Sequence, residues 1–510
     1  MSARKVGRGT IYIVAQNILQ FLSGLLFYTV ITRIPTITKA DIGSISTLTF
    51  VLTLFTLASP IGLPVAAAKY VSEFIGRDEA KKASSVVQSI IRMVIISSSS
   101  LLITTLLLSN WLSPSLVGDG TSALVFMVTC GAAFLATMRM TFLSFIQGLQ
   151  MFDKYAMASI LTFVMARVLA IILVIQDYGL FGVVTGWLVG EAIGLTLTIV
   201  FYHGTLPKAD TTYEEKPLLA FSIPVFIMTV VTTVSDWTDR MLFFAITRDL
   251  EILGVYDLAI RGALSLSIIW IAVNVTVLPA FSEVYGRIGR EGLSEPIRRS
   301  SRYLAYMVIP AALGLATISK SAMALLFGWE YTDGSLLLGI LALSSIATAF
   351  STIVLSALQA MGETGVFIKI ALASMLTNMG LVILLTPILG VFGATLARST
   401  MMLVGFIYGF LTLRSRVGLE VEMKALWKAL LAAIVMAAPL WAFETMYSGT
   451  VFTNPFLIVG VEVGIGVVVY GLTLALLRAL DERDFDILRQ MVPRKLLWFV
   501  NLLERMFIRR

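Results

Sequence analysis

Five charged residues lie near a short polar hairpin that joins two long apolar segments in the middle of the chain. Asp236, Asp239 and Arg240 precede the hairpin, and Asp257 and Arg261 follow it. A charge inside a membrane segment costs about 3 kcal/mol on insertion scales, so such residues are usually paired or functional. Carboxylates at such a place can titrate, and arginines can hold phosphate oxygens at two points. The pattern predicts a structural ion-pair network, a site that binds an anion or titrates, or both.

Other charged residues also fall deep inside apolar segments. The further candidates for the same site are Arg167, Glu191 and Arg398. Together with Arg240 and Arg261, these arginines would suit a pyrophosphate head group, unless they are neutralised by the nearby carboxylates. Arg139 lies closer to a segment end and ranks below them. Glu444 and Glu462 belong to the last two apolar segments, where we interpret them as lipid-edge or structural features.

Composition identifies the class of protein. Of the 510 residues, 58% are hydrophobic and 14% are charged, against roughly 45–50% and about 25% in soluble chains. This is typical of a polytopic membrane protein. The net charge of +7 does not indicate nucleic-acid binding, because the basic residues concentrate in alternate short loops, which is an orientation signal. One cysteine and one histidine leave no Cys/His metal cluster, and we expect no metal and no cofactor.

Apolar segments long enough to span a membrane recur along the whole chain. We predict an all-α protein with about 14 transmembrane helices, at residues 10–33, 42–68, 84–109, 121–149, 155–176, 180–202, 217–247, 253–281, 303–327, 335–360, 365–387, 391–413, 425–446 and 454–477. Phosphate-binding GxxxxGK[ST], HExxH and GxSxG patterns are missing from the sequence, and the loops are short. We therefore expect no enzyme activity and no catalytic residues.

The distribution of basic residues predicts the orientation. Most of the 38 lysines and arginines flank one set of alternate loops and the two termini. The positive-inside rule places these loops and both termini in the cytoplasm, and we expect a multi-pass protein of the cell (plasma) membrane. Residues 481–510 mix apolar and basic residues at helical spacing, which predicts an amphipathic cytoplasmic tail on the membrane surface.

An internal repeat divides the chain. Four short motifs recur at an offset of about 211 residues, and they begin at Gln147 and Gln359, Gly179 and Gly390, Asp41 and Glu251, and Ser72 and Ser282. Two copies of six helices have the same orientation in the membrane because six is an even number, so the repeats are parallel. The predicted divisions are an N-lobe with helices 1–6 (1–203), a cytoplasmic linker (204–216), a C-lobe with helices 7–12 (217–413), helices 13–14 (414–480) and the tail (481–510).

Two facing bundles would enclose a cleft, and rocking of one bundle against the other would give alternating access. Proline and glycine inside the predicted spans support bending, although static kinks are the alternative interpretation. These residues are Pro60, Gly62, Pro64, Pro224, Pro279 and Pro310.

The hairpin region resembles a known family. Asp239-Arg240-Met-Leu, followed by Gly254-Val-Tyr256-Asp-Leu-Ala259, resembles the helix 7–8 signature of polysaccharide-transporter-type oligosaccharide flippases. They belong to the multidrug/oligosaccharidyl-lipid/polysaccharide exporter (MOP) superfamily. The resemblance implies translocation of a polyprenyl-phosphate or pyrophosphate oligosaccharide from the inner to the outer leaflet. It also implies a cationic cavity, a role carried over to Arg240 and Arg261. The implied partners are the lipid-linked glycan, membrane lipids and glycan assembly machinery, with no nucleic acid.

Two rival functions stay open at the level of the sequence. A proton- or sodium-coupled multidrug antiporter of the same superfamily would use Asp236, Asp239 or Asp257 as its cation site. A membrane-embedded glycan polymerase would need large extracytoplasmic loops with acidic and histidine residues, and the sequence has neither.

Overall fold

A computed structural model describes residues 3–118, 122–209, 211–418, 422–447, 454–479 and 489 of the chain. The regular elements of these residues are helices. The helices are α1 (Ala3–Ile31), α2 (Lys39–Ala58), α3 (Leu63–Gly76), α4 (Ala80–Leu107), α5 (Ser109–Leu116), α6 (Ala123–Gly148), α7 (Phe152–Ile175), α8 (Gly179–Tyr202), α9 (Glu215–Thr247), α10 (Leu250–Leu264), α11 (Ser267–Ile288), α12 (Ser294–Thr317), α13 (Ser319–Phe327), α14 (Ser335–Ala360), α15 (Thr364–Leu389), α16 (Val391–Val417), α17 (Met423–Tyr447) and α18 (Pro455–Leu476). Apart from Arg489, the predicted tail lies outside the described residues, so its membrane-surface role stays a prediction.

The predicted all-α membrane fold is confirmed. Thirteen helices of the described residues are long and apolar enough to cross a membrane. A fourteenth span results if α12 and α13 count as one, since these two helices are bent by 81° at a short break. The count therefore agrees with the prediction of about 14.

Several predicted spans are broken helices. The predicted span 42–68 divides into α2 and α3 because Ile61 and Gly62 both adopt positive φ angles, of 46° and 73°. Glycine tolerates this conformation at little cost, and a proline in the next turn suits the start of a helix. The predicted span 253–281 divides into α10 and α11. Pro224, Pro279 and Pro310, in contrast, lie inside helices that continue through them.

The chain forms two compact units, Met1–Asp257 and Leu258–Arg510. The division falls inside α10, whereas the lobe boundaries predicted from the internal repeat fall elsewhere. These lobe boundaries rest on sequence similarity between the two halves and stay a prediction.

In the first unit, α7 and α8 pack through small residues. Glycines at 182, 186, 190 and 194 recur every four residues and form one face of α8. A Cβ atom on Gly186 would lie 2.5 Å from the backbone nitrogen of Ala170, and one on Gly190 would collide with Ala166. Such small residues let two membrane helices approach closely, which strengthens their van der Waals contact.

In the second unit, an apolar cluster joins α12, α14 and α17. Leu304 and Val308 of α12, Ile353 of α14, and Ala429 and Ala433 of α17 are all buried in it. The first of the two C-terminal helices therefore packs directly against helices of the predicted C-lobe.

Candidate transport site

A tight turn between α9 and α10 positions the charged residues identified in the sequence. Arg248 ends α9 in a left-handed conformation with φ of 54°. The Asp249 carboxylate then accepts a hydrogen bond of 2.9 Å from the backbone N–H of Ile252, in the first turn of α10. Arg240 and Asp257 each lie seven residues from the adjoining helix end, or about 10 Å at 1.5 Å per residue. The turn thus brings the two charges to the same level on neighbouring helices.

Arg240 and Asp257 form a buried ion pair. Their Nη1 and Oδ1 atoms are 2.8 Å apart, and the two side chains are 9% and 0% exposed. The Nη2 atom of Arg240 donates to the backbone carbonyl of Asp236 at 2.9 Å. Its guanidinium lies 3.8 Å from the centre of the Trp237 ring, within cation–π distance. Arg240 is thus held by an acid, a carbonyl and an aromatic face.

A second polar contact lies beside the first. The Tyr256 hydroxyl donates a hydrogen bond of 2.6 Å to Oδ2 of Asp239, and both residues are fully buried. The adjacent residues Asp239 and Arg240 of α9 therefore contact the adjacent residues Tyr256 and Asp257 of α10. Each contact joins one helix to the other, so the two contacts together hold the helices in one register.

The contact of Tyr256 with Asp239 was missed by sequence reasoning. Tyr256 belongs to the motif that carries the family resemblance, but it had no assigned role. The available signal was the distance of each residue from the turn. Asp239 lies eight residues before the end of α9 and Tyr256 lies six residues after the start of α10, so across a tight antiparallel hairpin both lie close to the level of Arg240 and Asp257.

Gly43 of α2 and Gly254 of α10, which belong to one of the repeated motifs, each lie against the other helix. A Cβ atom on Gly254 would be 2.8 Å from the backbone nitrogen of Gly43 and would collide with the carbonyl of Lys39. A Cβ on Gly43 would collide with the carbonyl of Leu250. The first turn of α10 therefore packs backbone to backbone on the start of α2, which anchors the charged hairpin.

Glu191 has a different partner from those expected. Its carboxylate accepts two hydrogen bonds from Arg139 of α6, from Nε at 2.5 Å and from Nη2 at 3.1 Å. This two-point geometry gives the strong form of an ion pair. Arg139, which ranked below the other candidates, is thus the residue that neutralises Glu191. The guanidinium carbons of Arg139 and Arg167 lie 5.7 and 5.8 Å from the Phe163 ring.

Arg167 joins α7 to α1. Its Nη1 atom donates to the carbonyl of Gln20 at 2.8 Å and to the hydroxyl of Ser23. The next residue of that turn, Gly24, leaves room for the guanidinium, since a Cβ there would approach Nη2 to 3.1 Å. Arg167 therefore binds backbone and hydroxyl oxygens of a neighbouring helix, and it lies apart from the Arg240–Asp257 pair.

The remaining candidates occupy three different environments. Asp236 is exposed on α9, and Arg261 is half-buried in the last turn of α10, one turn beyond Asp257. Arg398 is 6% exposed and lines a cavity of about 40 Å³ in the second unit, beside Trp270 and Ser345. A cavity of this size has room for water but not for a head group.

The second unit also contains a large, mainly apolar cavity with three charged residues in its lining. It measures about 390 Å³ and is lined by residues of α12, α14, α16 and α17, including Phe350, Ile353 and Phe406. Arg298 and Arg302 also line it and lie 3.5 and 3.8 Å from the carboxylate of Glu422, another lining residue. The cavity thus offers an apolar wall beside two guanidinium groups.

A chain with thirteen or fourteen candidate spans and buried ion pairs on adjoining helices has the make-up of a multi-pass membrane transporter. Residues 30–336 match the family described as "Polysaccharide biosynthesis protein". The match covers more than half of the chain, and the protein belongs to this family. It is also 25% identical over 240 residues to the "Probable low-salt glycan biosynthesis flippase Agl15" of Haloferax volcanii. That alignment covers 47% of this chain and 50% of the relative, so the chain matches about half of the relative's length.

Solved structures show the same fold. An inward closed structure of the lipid II flippase MurJ superposes with a TM-score of 0.74 at 16% identity, covering 91% of this chain and 97% of that one. An inward-facing multidrug resistance transporter of the MATE family superposes with a TM-score of 0.68 at 16% identity, and the superposition covers 80% of this chain and 98% of that one. Identities this low support the fold alone. A member of the polysaccharide biosynthesis family thus has the fold of these two transporters, and the predicted family resemblance is confirmed.

Proposed function

We propose that the protein translocates a lipid-linked oligosaccharide, carried on polyprenyl phosphate or pyrophosphate, from the inner to the outer leaflet by alternating access. The observation that carries the proposal is the family match over residues 30–336. The substrate class is supported by the Haloferax volcanii relative, which is named as a probable glycan biosynthesis flippase. The proposal places both termini in the cytoplasm, from the distribution of basic residues.

The contacts of the hairpin favour this function over cation-coupled drug export. A carboxylate that binds a coupling ion must exchange its ligand, whereas Asp257 is held by Arg240 and Asp239 by the Tyr256 hydroxyl. Both of these carboxylates are therefore already bound in this conformation. We assign Arg240 and Asp257 the role of holding the hairpin, and we propose Arg261 as the group that approaches the substrate phosphate.

The apolar cavity in the second unit suits the lipid part of such a substrate. Its volume of about 390 Å³ falls within the usual range of ligand pockets. Aromatic and branched side chains form most of its lining. We propose that it receives part of the polyprenyl chain.

The test is a leaflet-exchange assay in proteoliposomes with a fluorescent polyprenyl-pyrophosphate oligosaccharide, run beside efflux of a small cationic dye. We expect exchange by the wild type, loss of exchange in Arg261→Ala, and retained exchange in Arg248→Ala. Arg248 is a matched control because it is an exposed arginine of the same hairpin. Dye efflux that requires an ion gradient, is lost in Asp239→Asn and occurs without lipid exchange would instead establish the antiporter.

A further inference from the structure

Two glutamates of the last two helices meet at one serine. Glu444 lies in the last turn of α17, Glu462 lies two turns into α18, and Ser321 is the third residue of α13. Glu462 is fully buried, which excludes the lipid-edge interpretation of this residue, and Glu444 is half-buried. Three helices therefore converge on two acids and a hydroxyl.

The start of α13 supports a negative charge on Glu444. The backbone N–H of Ser321 donates a hydrogen bond of 3.0 Å to Oε1 of Glu444, and the serine hydroxyl donates to its Oε2. The first N–H groups of a helix have no partner within it, and the positive end of the helix dipole favours an anion. Glu444 thus accepts two donors and lies where ionisation is favourable.

Hydrogen counting gives the opposite state for Glu462. The Ser321 hydroxyl has one proton, which it donates to Glu444, while its oxygen also lies 3.4 Å from Oε1 of Glu462. If Glu462 were ionised, the single serine proton would have to be shared between two carboxylates, whereas a protonated Glu462 could itself donate to the serine oxygen. The buried Oε2 atom of Glu462 receives no hydrogen bond from the described residues. A charge there would be poorly compensated.

Basic residues of the described chain do not neutralise this pair, since the ion pairs found there involve other acids. Among the side chains that the structure describes, the other titratable ones on the helices packed here and on the adjoining 3₁₀ helix Trp329–Gly334 are Lys320, Glu330, Tyr331, Asp333, Lys424, Lys428, Tyr470 and, in the first half of α12, Glu295, Arg298, Arg299, Arg302, Tyr303 and Tyr306. Lys320 is exposed, and Lys424 and Lys428 lie at the opposite end of α17. Ionisation of both adjacent carboxylates without a nearby cation would be unfavourable, because the two negative charges repel each other.

We propose that Glu462, Ser321 and Glu444 form a proton-binding site in which Glu462 holds one proton and Glu444 is ionised. Loss of this proton would place two like charges side by side in an apolar setting and loosen α17 and α18 from α13. The ligand is a proton, and the inference does not depend on the transported substrate.

Infrared difference spectroscopy of the full chain in nanodiscs tests the protonation state. At neutral pH we expect a C=O stretch from a protonated carboxylic acid in the wild type. The band should be lost in Glu462→Gln and unchanged in Glu330→Gln, an exposed acid of the same unit. Glutamine keeps the size and a donor N–H group, so this variant should fold. A wild type without the band, or an equal band in Glu462→Gln, would overturn the proposal.

Thermal stability against pH tests the consequence. Binding of the proton stabilises the folded state. This contribution to the free energy of unfolding is therefore present at low pH and is lost as the pH rises. We expect the Tm of the wild type to fall by several degrees between about pH 7 and about pH 10, and the Tm of Glu462→Gln to stay level by comparison. Parallel curves for these two proteins would contradict the site. Sodium that removes the infrared band at constant pH would also overturn it, in favour of a cation site.

Discussion

Removing one partner of the Arg240–Asp257 pair should destabilise the protein strongly. At 2.8 Å and an effective dielectric constant of about 20, the attraction between the two charges is about 6 kcal/mol, and desolvation offsets much of it. The larger effect comes from the charge left behind. Asp257→Ala leaves a buried guanidinium with one backbone carbonyl and an aromatic ring. Breaking such a pair costs about 3–5 kcal/mol.

The expected change in melting temperature follows from the size of the chain. With an unfolding entropy of about 2.1 cal/mol/K per residue over 510 residues, 4 kcal/mol lowers the Tm by about 4 °C. The measurement is a thermal melt of the purified protein in detergent, followed by tryptophan fluorescence. Glu251→Ala is the matched control because it removes an exposed acid from the same helix, for which we expect about 0.5 kcal/mol or less.

A double variant separates the effect of breaking the ion pair from any general destabilisation caused by the substitutions. Replacing both charges, as in Arg240→Met with Asp257→Leu, leaves no uncompensated charge, and such replacements are often neutral or stabilising. We expect it to recover most of the Tm lost in Asp257→Ala. A Tm for Asp257→Ala equal to that of Glu251→Ala, or a double variant less stable than Asp257→Ala, would refute the reasoning.

Three further substitutions test other contacts of the first unit. Gly190→Ala should lower the Tm by several degrees because its methyl group collides with α7, whereas Gly464→Ala, which meets open space, should leave it nearly unchanged in the same melt. Tyr256→Phe removes one hydrogen bond to a buried acid and should cost about 1.5–3 kcal/mol, and an unchanged Tm would show that this bond does not hold the hairpin. Glu191→Gln should destabilise because it leaves Arg139 buried without a full negative partner, and a Tm at the wild-type value would indicate that the pair does not contribute.

The sequence predicted the membrane class, the approximate helix count and the family, because these depend on local hydropathy and short motifs. It could not separate a straight helix from a broken one at every position. Pro60 and Gly62 coincide with the break between α2 and α3. Pro310 is also a proline, but α12 continues through it. Backbone geometry at a proline depends on what the neighbouring helix offers to the freed carbonyl, and hydropathy does not encode that.

The candidate site shows the same division. Composition and periodicity alone identified the buried charges, because a charged residue in an apolar run is conspicuous wherever the run folds. Partners across a short hairpin, such as Arg240 and Asp257, were within reach of sequence reasoning, since the turn limits which residues can meet. Partners on helices distant in sequence were decided by packing alone: Arg139 neutralises Glu191 across 52 residues, and Ser321 joins Glu444 and Glu462 across more than 120. Sequence determines which charges must be compensated in the membrane, and only the tertiary structure decides which group compensates each one.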